Sequence, residues 1–131
     1  MSSLDAISVN VEAETGNVRP LLHEIRHALK RLANGEDGTV IDLRRLPLAP
    51  GEEERLDTLL GKGEVHAQVD ALGPTVVQET LYPGVWLITH CNAEGTTVAR
   101  FIEVTRVPEL LMSQQEDIDA GIRRLEKELE N

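Results

Sequence analysis

The chain is poor in the residues from which many small functional sites are made. It has one cysteine, Cys91, in 131 residues. A single thiol excludes an intrachain disulfide, and it cannot supply the four thiolates that an iron–sulfur cluster usually takes. Two chains sharing a cluster would still lack two. The absence of disulfides suits a reducing compartment. Basic residues are scarce as well: 13 Lys and Arg stand against 23 Asp and Glu, for a net charge of −10. Proteins that bind nucleic acid neutralise phosphates with Lys and Arg, so this balance argues against that class. No apolar run approaches the roughly 18 residues of a membrane-spanning helix. The opening MSSLDAISVNVEAET has neither the basic n-region nor the apolar h-region of a secretory signal, so cytoplasmic residence is the expectation. There is no phosphate-cradling glycine loop and no nucleophile elbow.

What is present is a sheet. From Gly63 to Val107 apolar and polar residues alternate, and turn signals cut the run into four pieces of strand length. Val65, Ala67, Val69 and Ala71 fall on one face; Glu64, His66, Gln68 and Asp70 fall on the other. Gly73-Pro74 breaks the run before Thr75–Leu81. Tyr82-Pro83-Gly84 carries the proline and glycine of a type II turn. Val85–Cys91 is the most apolar piece and reads as a central strand. Asn92–Gly95 reads as a hairpin loop, and Thr97–Thr105 returns. The three aromatic residues, Tyr82, Trp86 and Phe101, all lie in this region. Trp86 and Phe101 sit on facing arms of one hairpin and are expected to pack across it.

Helices flank the sheet. Residues 18–33 follow a plausible N-cap, Asn17, and carry an apolar stripe of Leu22, Ile25, Leu29 and Leu32, widened by Leu21 and Ala28. Residues 39–43 are a short apolar run of strand character. Residues 52–60 read as a short helix with an acidic first turn and an apolar side of Leu56, Leu59 and Leu60. Ser113–Glu116 matches a capping box, and the helix after it, to about Glu130, bears a narrow stripe of Ile118, Ile122, Leu125 and Leu129. Such a stripe is expected to pack on the sheet, with a helix–helix dimer seam as the alternative. The architecture predicted is α+β: an antiparallel sheet of about four strands with helices packed on one face. Residues 1–17 form a leader, either an edge strand through Ile7, Val9 and Val11 or a disordered segment. Residues 18–131 form a single domain.

Three patterns invite a chemical reading. His23-Glu24-Ile25-Arg26-His27 matches H-E-x-x-H, the helical zinc motif that would make the chain a small metal-dependent hydrolase. No third ligand is near in sequence, and Arg26, Lys30 and Arg31 oppose a dication, so no metal ligand is assigned. His90 and Cys91 are neighbours in a strand and point to opposite faces, which excludes a dyad between them. Glu64 and Glu79 fall on neighbouring strands, but paired carboxylates need a pocket that separates their pKa values. No catalytic residue and no cofactor is assigned.

The string from Gly73-Pro74 through Gln78-Glu79-Thr80 to Tyr82-Pro83-Gly84-Val85-Trp86 resembles the C-terminal conserved region of the HupH/HyaF family. The resemblance extends through LLHEIRHAL (21–29), TVIDLRRLPLAPG (39–51), GKGEV (61–65), IEVTRVP (102–108) and SQQEDI (113–118). It implies a HupH-like C-terminal domain over residues 18–131. It implies a non-enzymatic, chaperone-like cytoplasmic accessory protein in maturation of nickel–iron uptake hydrogenases. The partners implied are the precursor of the iron–sulfur small subunit and other maturation factors. That precursor carries a basic twin-arginine export signal, which the acidic surface of this chain would suit. The residues expected to touch a partner are Glu79, Tyr82, Trp86 and His90, on or beside the most recognisable string. A generic homodimeric interaction domain is the further alternative.

Overall fold

The computed structural model describes residues 16–70 and 72–130. The edge strand or disordered leader expected near the N-terminus therefore lies outside the described residues, except for its last two positions. The element order is α1 (Val18–Ala33), β1 (Thr39–Asp42), a 3-10 turn (Leu43–Arg45), α2 (Glu52–Leu60), β2 (His66–Asp70), β3 (Pro74–Glu79), β4 (Val85–Cys91), β5 (Thr97–Val104), a second 3-10 turn (Glu109–Leu111) and α3 (Gln115–Leu129).

Strands β2 to β5 form a meander, and β1 adds outside β5, giving the order β1-β5-β4-β3-β2 with every pairing antiparallel. The sheet thus has five strands, one more than the repeated turn signals suggested. The fifth is the isolated 39–43 run, whose Ile41 aligns with Ile102 of β5. The turns follow local chemistry. Gly84, at φ +94°, lets the Val85 N–H donate to the Tyr82 carbonyl at 2.9 Å. At the next hairpin the Asn92 side chain accepts from the Glu94 and Thr96 amides.

The two faces of the sheet are unlike. On one, Ile41, Val85, Ile102 and Val104 meet Val18, Leu21, Ile25 and Ala28 of α1 and Leu56 and Leu60 of α2. The buried line of α1 lies slightly to one side of the stripe read from the sequence: Leu22, Leu29 and Leu32 flank it, partly buried. In α2, Leu59 faces outward and its place is taken by Glu52, a carboxylate with 1% exposure. Glu52 accepts from the Ala49 N–H at 2.8 Å and the Asn17 N–H at 3.2 Å, so it pins the entries of two helices. That is why burying it is tolerated. The opposite face holds a smaller cluster of Val77, Trp86 and Ile88 with Ala67, Phe101 and Leu111. Trp86 and Phe101 do pack in the same cluster, though on the diagonal: Trp86 is opposite Glu103 and Phe101 is opposite Ile88.

The last helix departs from expectation. It begins at Gln115 with Gln114 at the cap and no side-chain cap bond, so Ser113–Glu116 does not act as a capping box. None of its described residues is buried. Ile118, Ile122, Leu125 and Leu129 are exposed by 45%, 48%, 66% and 82%, so the stripe does not pack on the sheet. Helices α1 and α2 alone cover one face. Among the described residues no helix is long and apolar enough to cross a membrane.

Candidate functional site

Charged groups of this chain divide into those that hold it together and those left facing solvent-filled space. Arg100, on the helix-covered face, is the clearest of the first kind. Its guanidinium meets Asp57 at 2.9 Å and Glu53 at 2.5 Å, tying β5 to α2. Burial works to lower its pKa, but the hydrogen bonds it donates to Asp57 and Glu53 and the charges of those two carboxylates together outweigh it, and the net shift is upward. These groups, with Arg44 and Thr97, line an open cavity of about 410 Å³.

The four residues expected to touch a partner are split. The strand register pairs Glu79 with Trp86 and Thr75 with His90, at opposite ends of one ladder. Glu79 Oε1 accepts from the Glu64 and Val65 amides at 3.0 and 3.3 Å, closing the loop that leads into β2. Trp86 is only 6% exposed, and its indole N–H donates to the Thr105 carbonyl at 3.0 Å. Both line a cavity of about 350 Å³ with Leu29, Leu32, Pro83 and Arg106. His90 is half-buried beyond reach of it; its Nδ1 sits 2.8 Å from the Thr75 hydroxyl, and its ring meets Phe101 edge-on at 5.7 Å. Tyr82 is the one with an open side chain, 49% exposed at the β3–β4 turn.

The other patterns are dispersed too. His23, Glu24 and His27 are all on the exposed side of α1. Among the described residues no group of three His, Cys, Asp or Glu side chains is placed to hold a metal ion. His66 pairs with Gln78 (Nδ1 to Oε1, 2.7 Å).

A cavity of about 490 Å³ lies where β1, β5, the second 3-10 turn and the start of α3 converge. Its apolar rim is Val40, Val107 and Met112, each more than half exposed. Its acidic groups are Glu103 and Glu109. Glu103 lies across from Trp86 on the less covered face of the sheet. Burial raises its pKa above the ordinary carboxylate value; the Glu109 backbone N–H opposes that shift, and the Glu109 charge adds to it. Among the described residues neither carboxylate has a cationic partner. Sequence reasoning passed over this pair. The available signal was parity: in β5 the residues at 101 and 103 share a face, so a carboxylate shares the face of Phe101 and Trp86.

A five-stranded antiparallel sheet, helices on one face and open acidic cavities along its margins define an α+β domain. The chain belongs to the HupH hydrogenase expression protein family: the model of that family's C-terminal conserved region matches residues 15–131. It is 32% identical over 111 residues to the hydrogenase expression/formation protein HoxQ of Azotobacter vinelandii, and 29% identical over 109 residues to HupH of Rhizobium leguminosarum bv. viciae. Each alignment covers 83% of this chain and 39% of the relative, so the chain spans about two-fifths of the length of these proteins. The solved structure of the hydrogenase expression protein HupH from Thiobacillus denitrificans superposes with a TM-score of 0.85 at 43% identity, over 89% of this chain and 98% of that one.

Proposed function

We propose that this chain is an accessory module of hydrogenase maturation. It holds a cationic segment of the iron–sulfur small-subunit precursor at the Glu103–Glu109 cavity. Family membership supports the hydrogenase context, since the relatives are named as hydrogenase expression/formation proteins. The single observation that carries the site is the uncompensated carboxylate pair in a half-apolar cavity. A guanidinium brought there would favour the ionised form of Glu103, which burial and the Glu109 charge disfavour. The carboxylate would accept its hydrogen bonds, and Val40, Val107 and Met112 would receive the neighbouring apolar side chains. The module acts by binding and does no chemistry of its own. Of the residues read from the sequence, Tyr82 remains a contact at a second patch. Glu79, Trp86 and His90 support the fold around it.

The test is capture of hydrogenase subunits by this chain from cells expressing a hydrogenase operon, compared with a Glu103→Gln/Glu109→Gln variant. The expected result is recovery of the small-subunit precursor with its export signal attached. Retention should fall in the variant, in moderate salt, and when the twin arginines are replaced. Recovery of no hydrogenase subunit where the subunits are abundant would overturn the reading. Capture indifferent to both carboxylates would overturn the site.

A further inference from the structure

Helix α3 presents an apolar stripe that the described residues of its own chain do not bury. Ile118, Ile122, Leu125 and Leu129 recur at alternating spacings of four and three, the d and a positions of a heptad seam. The positions that flank such a seam are acidic. Asp119 and Glu126 stand on one side and Glu128 on the other, while Arg123, Arg124 and Lys127 lie on the outer face. Among the described residues Asp119 is met only by the neutral Gln115 amide, at 3.1 Å. The helix also begins at the acidic cavity, whose wall includes Gln115.

We infer that this stripe docks an amphipathic helix of another protein, one whose apolar seam is flanked by Lys or Arg. Charge decides the occupant. In an antiparallel pair of identical chains the acidic flanks of one copy would meet those of the other, and in a parallel pair there is no base in a flanking position to answer them. A basic-flanked helix satisfies both the apolar seam and its borders. The inference stands on the helix alone and does not need the hydrogenase reading.

The probe is a synthetic heptad peptide with Leu at a and d and Lys at e and g; its control has Glu at e and g. Lys flanks keep the probe from pairing with itself. Titration against the intact chain is followed by fluorescence anisotropy, and amide exchange is read along α3. The Lys peptide should bind and slow exchange in α3, and the Glu peptide should bind at least about tenfold more weakly, as a like-charged border requires. Leu125→Asp should abolish binding of the Lys peptide while leaving the melting temperature unchanged. That substitution makes the chain more acidic, so its effect cannot be a loss of overall attraction. Failure of the Lys peptide to bind, or equal binding of both peptides, would overturn the inference. So would a dimer of the chain that Leu125→Asp converts to monomer, which would assign the stripe to a second copy. A fall in melting temperature in Leu125→Asp would assign it to the chain's own core and would equally overturn it.

Discussion

Glu103 and Glu109 line one cavity at the margin of the sheet and act on one another in opposite senses: the Glu109 backbone N–H favours ionisation of the Glu103 carboxyl, and the Glu109 side-chain charge disfavours it. Burial does more than either, so the carboxyl of Glu103 titrates above its ordinary value. Charges left in this state cost stability unless a cation arrives. Binding sites are often built that way.

The sign of the pH effect follows. A carboxyl whose folded pKa is raised contributes stability that is fully present below its unfolded value and is lost as pH rises through the folded value. Glu103→Gln keeps a side-chain acceptor of the same size and removes the charge. The variant should therefore be at least as stable as the parent at neutral pH, with a smaller loss of stability as pH climbs from about 4 toward neutrality. Urea unfolding across that range measures it. A variant clearly less stable at neutral pH would contradict the assignment.

Trp86 separates a core role from a contact role. Removing the ring in Trp86→Ala should cost about 3–5 kcal/mol, because a buried aromatic leaves a cavity. Trp86→Phe keeps most of the volume and loses the bond to the Thr105 carbonyl, for a cost of about 1 kcal/mol. Partner capture by the folded Trp86→Phe variant should match the parent, whereas Tyr82→Ala should weaken capture without changing the unfolding midpoint. A weakened Trp86→Phe of full stability would return Trp86 to the contact surface.

Arg100→Met tests the strap between β5 and α2. The side chain is 16% exposed, but its partners Glu53 and Asp57 are 45% and 40% exposed, so solvent screens much of the attraction. The expected cost is about 1–2 kcal/mol, shrinking in high salt as the paired charges are screened. Denaturant unfolding at two salt concentrations reads both. No cost in either condition would mean that the Arg100 strap contributes nothing to holding α2.

Much of this fold was legible from local chemistry. Alternation from residue 66 to residue 104, cut by Tyr82-Pro83-Gly84 and Asn92–Gly95, specifies strands and hairpins because a strand's period and a turn's φ requirement are properties of a few adjacent residues. The same holds for α1 and α2, whose bounds follow from apolar spacing and from the glycine that ends α2. Pairing partners are not local. Whether residues 39–42 would join β5 depended on the whole sheet being assembled, and so did the burial of Glu52, which accepts from the distant Asn17 amide as well as from that of nearby Ala49.

The family resemblance, carried by ordered strings of sequence, was likewise written in the chain. The surface was not. An apolar stripe reads the same whether it faces a core or water, since period alone does not say what lies opposite. Only the tertiary structure decided that α1 would spend its stripe on the sheet and that α3 would leave its own exposed. Only it brought Glu103 and Glu109 to one cavity with Val40, because a carboxylate's surroundings are set by the elements that fold around it.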